Sequence, residues 1–289
     1  NNFDKKNKVY TKVISPSFKL KYNLSFKEVE NKLKKMIKFS DPEPDKKTLF
    51  IWPEGIFTGY NFDEIFQFNE LFKKSFTNNH KILLGINTKD EKTGEYFNSL
   101  LVVNNQFEII HKYNKNKLVP FGEFLPFESL LKKIGLKKVT QGYGSFSKGK
   151  TKTNIIIDKI NMLPLICYEI IFPELVQTRG YKTNLIVNIS EDGWFGNSIG
   201  PYQHFAKAVF RAIENNSFLA RSANMGISSI INNKGKIVKK LNINESGSIE
   251  MNIPLLNSKY KNKNDLIFFI LLFTYLLIFL ILKIKINEK

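Results

Sequence analysis

An uncharged apolar run near the C-terminus limits the possible folds of this chain more than any other feature. Residues 266–282 read LIFFILLFTYLLIFLIL and contain no charged side chain. A helix rises about 1.5 Å per residue, so this run and its flanks can cross a bilayer core of about 30 Å. The alternative is a buried core helix, but core helices usually keep a polar face. We therefore predict a transmembrane helix over about 266–282, within a C-terminal unit of residues 259–289 that ends in a short basic tail.

Basic residues flank the apolar run on both sides. Lys283 and Lys285 lie where their long side chains can reach the lipid headgroups. The tail KIKINEK carries the positive charge that is typical of the cytoplasmic side, which would place the preceding residues across the membrane. Residues 259–263 are also basic and argue against this orientation.

The whole chain is strongly basic. Of its 289 residues, 44 are Lys or Arg and 26 are Asp or Glu, which gives a formal net charge of +18. Such a charge suits a nucleic acid or an anionic lipid surface. The lysines are spread along the chain, however, and the sequence has no zinc-finger spacing, RNP-like box or phosphate-binding glycine-lysine loop. We therefore predict no nucleic-acid partner.

Residues from about 8 to 256 alternate between strand and helix patterns. Ser25 and Glu28 form a capping-box pattern before a helix with an apolar face of Phe26, Val29, Leu33, Met36 and Ile37. A second helix is predicted over residues 63–76. A third begins at Gly200-Pro201, and its apolar stripe is Phe205, Ala208, Val209, Ala212 and Ile213. Apolar segments such as TLFIW, KILLGIN, LPLICYE and NLIVNI read as strands between them. This alternation predicts a layered α/β architecture.

Three predicted strands end in a side chain that can take part in covalent chemistry. Glu54 follows a strand in FIWPEGIFTGY, Lys115 and Glu123 lie in HKYNKNKLVPFGEFLP, and Cys167 and Glu169 lie in LPLICYEIIFPE. Cys167 is the only cysteine, which excludes an intramolecular disulfide and a cysteine-built metal site. Each residue alone has an ordinary explanation, as core packing for the cysteine and as solvated charge for the others.

Together, Cys167, Glu54 and Lys115 supply the three roles of thiol catalysis on a carbonyl group. These roles are a nucleophile, a base that takes its proton, and a cation beside the developing oxyanion. A Cys–His pair is a weaker alternative, because His80 and His111 lie in no comparable strand-end motif.

Longer segments around these residues resemble a known family. YNKNKLVPFGEFLPFE, ICYEIIFPELV and the stretch from NISEDGWFGNSIGPYQHF to INNKGKI are similar to the nitrilase superfamily, and within it to the apolipoprotein N-acyltransferase branch. The resemblance extends from Val9 to the apolar run. It implies a nitrilase-like α-β-β-α sandwich over residues 1–258, followed by one transmembrane helix.

The resemblance also implies roles for individual residues. Glu54 would be the general base, Lys115 the oxyanion stabiliser and Cys167 the acylated nucleophile. Glu123 would support Lys115, while Glu169 and Tyr168 would shape the surroundings of the thiol. Trp194 and Phe195 would line the approach of the substrate, with ordinary core packing as the alternative. His204 lies on the predicted helix, after GPYQ, and is a further candidate for substrate binding as a pocket-lining residue, with a structural role as the alternative. No motif calls for a metal ion or an organic cofactor.

The reaction that the resemblance implies is acyl transfer in two steps. A phospholipid would donate its fatty acyl group to Cys167, and the N-terminal amine of a diacylglyceryl-cysteine apolipoprotein would accept it. The enzyme would lie in the bacterial cytoplasmic (inner) membrane, with its catalytic domain on the periplasmic side. The alternatives are a carbon-nitrogen hydrolase acting on small substrates and a catalytically silent membrane-anchored binding domain.

The sequence departs from the family pattern in three places. The multi-helix membrane region that usually precedes this domain is missing, and Asn1 is not Met, so we expect a fragment or a processed product. Gly55 stands where a small hydroxyl residue is commoner. Glu191 stands where an amide side chain is expected.

Overall fold

The computed structural model of the chain describes residues 7–126, 145–150, 154–176, 183–256 and 264–287. Contacts divide the chain into two compact units, Asn1–Ser258 and Lys259–Lys289. The predicted domain boundary at residues 258 and 259 lies outside the described ranges and stays a prediction.

Within the described residues of the first unit, twelve strands form two six-stranded sheets. The order of the first sheet is β12-β1-β2-β3-β4-β5, and that of the second is β11-β10-β9-β8-β7-β6. The strands of the first sheet are β1 Lys8–Ser15, β2 Thr48–Ile51, β3 His80–Lys89, β4 Tyr96–Val103, β5 Ile109–Asn114 and β12 Gly247–Pro254. Those of the second are β6 Ile155–Ile157, β7 Ile160–Ile166, β8 Leu185–Glu191, β9 Phe218–Asn224, β10 Ser228–Ile231 and β11 Ile237–Leu241.

Both sheets have parallel central strands and antiparallel edges. Strand β2 is parallel to β1 and β3, and β8 is parallel to β7 and β9. The pairs β3–β4, β4–β5 and β1–β12 in the first sheet are antiparallel, as are β6–β7, β9–β10 and β10–β11 in the second. Central strands that are covered on both faces read as continuous apolar runs, which explains TLFI and LIVNI in this sequence.

Helices cover the outer face of each sheet. The described α-helices are α1 Phe26–Ser40, α2 Phe62–Ile65, α3 Asn69–Ser75, α4 Pro173–Val176, α5 Gly200–Glu214 and α6 Asn264–Asn287. Val29, Leu33 and Phe72 pack with the first sheet, whereas Phe205 and Ala208 pack with the second. A third apolar cluster lies between the sheets. The four layers confirm the predicted α-β-β-α sandwich.

Local sequence signals explain where the first helix begins and ends. Ser25 and Glu28 form the predicted capping box, with the Ser25 main-chain N–H donating to the Glu28 carboxylate at 2.8 Å. The helix ends at Asp41, which adopts a left-handed conformation. The predicted apolar face is correct at Val29, Leu33 and Met36, but Phe26 is 56% exposed because it lies in the first turn.

Two other predictions need correction, and one strand was not predicted. The helix predicted over residues 63–76 is divided into α2, a 3₁₀ turn at Phe66–Phe68 and α3. On α5, Ile213 is 47% exposed, so it is not part of the buried stripe. Strand β12 was not predicted, although it pairs with β1 along its whole length, from Lys8↔Pro254 to Ser15↔Gly247.

The second unit contains α6. Leu266–Ile284 is long and apolar enough to cross a membrane, and among the described residues it is the one helix of that kind. Its side chains from Leu266 to Ile284 are exposed to the surroundings. Such a surface has no polar face to place in water, which agrees with the predicted transmembrane helix.

Candidate active site

The predicted catalytic residues follow the carboxyl ends of three strands. Glu54 comes after β2, Lys115 directly follows β5, and Cys167 directly follows β7. All three line one cavity of about 470 Å³ between the two sheets. The carboxyl ends of these strands lie at the same end of the sandwich. Side chains that directly follow them can therefore meet there although they are far apart in the sequence.

Lys115 lies at the centre of a buried polar group that we call the Lys115 cluster, made of Glu54, Asn98, Lys115 and Glu123. Its ammonium Nζ is 2.9 Å from Glu123 Oε1 and 3.4 Å from Glu54 Oε1. The Asn98 amide donates to the same two oxygens at 2.6 Å each. Burial disfavours the ammonium, but the attraction of Glu123 and then of Glu54 outweighs it and raises the Lys115 pKa above its usual value. Lys115 therefore remains a cation inside the cavity.

Cys167 begins a 3₁₀ turn, Cys167–Ile171, at the end of β7. Its φ of 48° is left-handed, a conformation that non-glycine residues rarely adopt and that is found at functional turns. Burial and the negative charge of Glu54 raise the thiol pKa, and Lys115 opposes them. The resting group is consequently a thiol, which needs a base to become a nucleophile.

Close packing fixes the turn of Glu54, the residue predicted to be that base. A Cβ added to Gly85 of β3 would lie 2.7 Å from the Glu54 Cα, so a larger residue there would displace the Glu54 backbone. Glu54 Oε2 also accepts a hydrogen bond from the main-chain N–H of Glu191 at 3.1 Å. The carboxylate is thus bound from both sheets.

Glu169 connects the segment that carries Lys115 to the turn that carries Cys167. Its Oε1 accepts from the main-chain N–H groups of Asn116 at 2.6 Å and Lys117 at 3.1 Å. Its Oε2 accepts from the Ile166 N–H at 2.8 Å, and the Tyr113 hydroxyl donates to both oxygens. Burial raises the Glu169 pKa, and the main-chain donors oppose that shift.

A second buried polar group lies on the other side of Cys167, and we call it the Arg221 cluster: Asn188, Asp192, His204 and Arg221. The Arg221 guanidinium donates to Asp192 Oδ2 at 2.7 Å and also to Asn188 Oδ1. His204 Nδ1 lies 2.9 Å from Asp192 Oδ1, while its Nε2 donates to the Cys167 carbonyl at 3.0 Å. His204 is therefore held between the cluster and the main chain of Cys167.

The remaining predicted residues lie around the cavity. Trp194 and Phe195 line it while staying 45% and 39% exposed, and Tyr168 lines it with its ring 5.0 Å from Phe172. His204 also lines the cavity, although it is only 4% exposed and both ring nitrogens have partners. The apolar part of the wall includes Leu20, Phe57, Ile86, Val119, Phe121 and Phe146.

Sequence reasoning missed Asn98, Asp192 and Arg221. A signal existed for Arg221, because a charged residue inside the apolar strand FLARSA needs a buried partner. Asp192 directly follows β8 in EDGWFG, at the same end of the sandwich as the three catalytic candidates. Among the described residues, no group of His, Cys, Asp and Glu side chains is arranged to hold a metal ion. The expectation that no cofactor is needed stays a prediction.

Comparison with known proteins assigns the family. Residues 19–258 match the family model described as carbon-nitrogen hydrolase. The chain belongs to the carbon-nitrogen hydrolase family. This assignment confirms the resemblance to the nitrilase superfamily that the sequence motifs indicated.

Curated relatives of this carbon-nitrogen hydrolase chain carry a more specific name. It is 32% identical over 262 residues to the apolipoprotein N-acyltransferase of Rhodopseudomonas palustris, covering 85% of this chain and 48% of that protein. It is 37% identical over 215 residues to the one from Bradyrhizobium diazoefficiens, covering 72% and 40% respectively. The chain thus spans about half, or less, of the length of these relatives.

Solved structures support the fold independently. The chain is similar to the nitrilase-superfamily protein Nit3 of Saccharomyces cerevisiae, with a TM-score of 0.61, 19% identity, and coverage of 86% of this chain and 90% of that one. The carbon-nitrogen hydrolase of Helicobacter pylori gives a TM-score of 0.62, 17% identity, and coverage of 86% and 90%. At these identities, the likeness concerns the fold alone.

Proposed function

We propose that this chain is the catalytic part of an apolipoprotein N-acyltransferase with a Glu54–Lys115–Cys167 triad. The observation that carries the proposal is the cavity, which is lined by a thiol, a carboxylate and a cation in a chain related to curated acyltransferases. The acyl donor is a phospholipid, and the acceptor is the N-terminal amine of a diacylglyceryl-cysteine lipoprotein.

In the first half-reaction, Glu54 takes the proton of the Cys167 thiol while the sulfur attacks the ester carbonyl of the phospholipid. The carbonyl oxygen becomes an oxyanion that faces the Lys115 ammonium. The carbon–oxygen bond of the ester then breaks, and Glu54 gives its proton to the leaving lysophospholipid oxygen. The fatty acyl group remains on Cys167 as a thioester.

In the second half-reaction, the lipoprotein amine attacks the thioester carbonyl and Glu54 takes a proton from the nitrogen. The carbon–sulfur bond breaks, Glu54 returns the proton to the sulfur, and an N-acyl amide leaves the site. Glu123 keeps Lys115 in place during both steps, because it is the closer of the two carboxylates.

The apolar wall and the membrane helix suit lipid substrates. Side chains such as Leu20, Phe57 and Phe146 line the cavity and would keep water away from the thioester. Helix α6 would anchor the enzyme in the bacterial inner membrane. We place the catalytic domain on the periplasmic side because the short basic tail favours the cytoplasm.

Mass spectrometry of the intact protein tests this proposal. The detergent-solubilised chain is incubated with phospholipid vesicles, beside the variant Cys167→Ala. We expect a mass gain of one fatty acyl group, removed by hydroxylamine and absent in the variant. A matched variant on the surface, Lys92→Met, should acylate like the wild type, since Lys92 is exposed.

Absence of the acyl adduct would contradict the proposal for this chain. A parallel assay then measures ammonia released from small amides, which would support the alternative of a small-substrate carbon-nitrogen hydrolase. An adduct that survives in Cys167→Ala would show that another residue is the nucleophile.

A further inference from the structure

One buried carboxyl group in the cavity wall has no part in the mechanism above. Glu191 ends β8, is only 2% exposed and lines the cavity next to Glu54. Among the described residues, no Lys or Arg nitrogen lies within ion-pair distance of its carboxyl group. Its partners are instead the Gly193 N–H, 2.8 Å from Oε1, and the Asn224 amide, 2.7 Å from Oε2.

On one side, Glu191 packs tightly against the turn that carries the general base. A Cβ on Gly55 would lie 2.6 Å from Glu191 Oε2 and 2.9 Å from Glu191 Cβ, so any larger residue at position 55 would collide. The positive φ of Gly55, 76°, also favours glycine there. From the opposite side, Lys32 Nζ donates to the Ile56 carbonyl at 2.9 Å. The Glu54 turn is therefore confined between Glu191 and α1.

On its other side, Glu191 is bonded to two segments that form the cavity rim. The Gly193 N–H belongs to the 3₁₀ turn Asp192–Phe195, which carries Trp194. The Asn224 side chain also exchanges two hydrogen bonds of 2.8 Å with the main chain of Phe18. Glu191 thus connects the Glu54 turn, the turn that carries Trp194 and, through Asn224, the segment before α1 that contains Phe18.

We propose that Glu191 is a positioning residue that holds Glu54 and the Trp194 turn in place. This inference rests on the proposed function, because it takes Glu54 to be the base. Two features of the geometry support this role: the Glu191 carboxyl group accepts from the Gly193 N–H and the Asn224 amide, and the Glu54 carboxylate accepts from the Glu191 main-chain N–H.

The charge of Glu191 depends on the groups around it. Burial raises its pKa to about 8, the Asn224 and Gly193 donors oppose this shift, and Glu54 and Asp192 add to it. Lys32 on α1, whose charge attracts a Glu191 carboxylate, and Tyr22 in the segment before α1 complete the set of titratable neighbours. As the pH rises through about 8, a new negative charge therefore forms next to Glu54, in the wall of the cavity that Cys167 also lines. That charge disfavours both the thiolate and the oxyanion.

Alkylation of Cys167 by iodoacetamide between pH 6 and pH 10 tests the proposal on the full chain. Because Cys167 is the only cysteine, the mass gain reports this thiol alone. In the wild type, the rise of the rate with pH should weaken near pH 8. In Glu191→Gln, which cannot ionise, the ratio of the rates at pH 9 and pH 7 should be about tenfold larger. The new amide nitrogen faces the Gly193 or Asn224 donor at both pH values, so its effect cancels in that ratio. Glu91→Gln, at an exposed site, is the matched control and should follow the wild type.

The variant Glu191→Ala tests the positioning role separately. It should lose about tenfold in acyl transfer at every pH, because Glu54 and the Trp194 turn lose their common support. Wild-type transfer in Glu191→Ala, or the same break near pH 8 in Glu191→Gln as in the wild type, would overturn the proposal. Alkylation needs no lipid, so its pH profile tests Glu191 even if the chain does not transfer acyl groups. Failure of the proposed function would instead appear as the absence of the acyl adduct on Cys167.

Discussion

The Lys115 cluster and the Arg221 cluster lie on two sides of the same cysteine, yet they balance charge differently. In the first, one ammonium faces two carboxylates, Glu54 and Glu123, and the group opens onto the cavity. In the second, the Arg221 guanidinium and the His204 ring face one carboxylate, that of Asp192, and the side chains of Arg221 and Asp192 are both 0% exposed. The Lys115 cluster thus keeps an extra carboxylate that can take a proton in the cavity, whereas the single carboxylate of the Arg221 cluster is held between two nitrogen partners.

The Asp192 carboxyl shows the effect of that balance. Burial alone would raise its pKa, but Arg221 and then His204 lower it well below its usual range. Asp192 therefore stays ionised and fixes His204 against the Cys167 carbonyl. Cys167 is only partly buried, yet its pKa is raised because Lys115 does not outweigh the loss of solvation and the charge of Glu54.

The largest effect is expected from Lys115→Met. Thioester formation should fall about 10³-fold, because the oxyanion loses its cation, and the two carboxylates left behind should also destabilise the fold. The double variant Lys115→Met/Glu123→Gln should regain stability without regaining activity. Recovery of both would mean that the Lys115 cluster is as purely structural as the Arg221 cluster. Intact-mass acylation rates and chemical denaturation measure the two quantities.

Arg221→Met should act mainly on stability. Leaving Asp192 buried without its guanidinium should lower the free energy of unfolding by about 3–5 kcal/mol. The molecules that remain folded should still acylate Cys167. Lys73→Met, which breaks the exposed Lys73–Glu70 pair, is the control and should change stability by less than about 1 kcal/mol. If Arg221→Met were as stable as the wild type but could not acylate Cys167, Arg221 would have a role in catalysis rather than in stability.

The variant Asp192→Asn tests whether the Arg221 cluster stabilises the fold through the charge of Asp192. The folded pKa of Asp192 is depressed, so its stabilisation is present above the unfolded value of about 3.9 and is lost as the pH falls through the folded value. We expect the variant to be about 2 kcal/mol less stable at pH 7, with the difference shrinking below about pH 4. Denaturation curves from pH 7 to pH 2 measure it. A difference that is constant over this range would contradict the ionic interpretation.

The smallest effect is expected from Glu169→Gln, which changes the connection between the Lys115 segment and the Cys167 turn. An amide nitrogen in place of one oxygen would face main-chain N–H donors, at an expected cost of about 1–2 kcal/mol in stability. The acylation rate should fall about tenfold, with little change in apparent lipid affinity. Tyr113→Phe removes only one donor to Glu169 and should have a weaker effect on both quantities.

Much of the fold was visible in local patterns of the sequence. The α1 capping box, the apolar central strands and the α6 run each lie within a short window, and each was predicted correctly. Strand β12 was missed because it lies at a sheet edge and its side chains alternate little in burial. Its place depends on β1, more than two hundred residues earlier in the chain, so no local pattern indicates it.

The four-layer fold, the family and the candidates Glu54, Lys115 and Cys167 can be read from the sequence alone, because each candidate follows a predicted strand in a recognisable motif. Which charges are neighbours depends on the folded chain. Glu54 and Lys115 are 61 residues apart, and Asp192 and Arg221 are 29 apart, so their contacts depend on how the strands are ordered in the sheets. A pKa depends on burial and on the distance between charges, and packing sets both. For that reason, the different states of Glu191 and Asp192, two adjacent acids in the sequence, appear only in the folded chain.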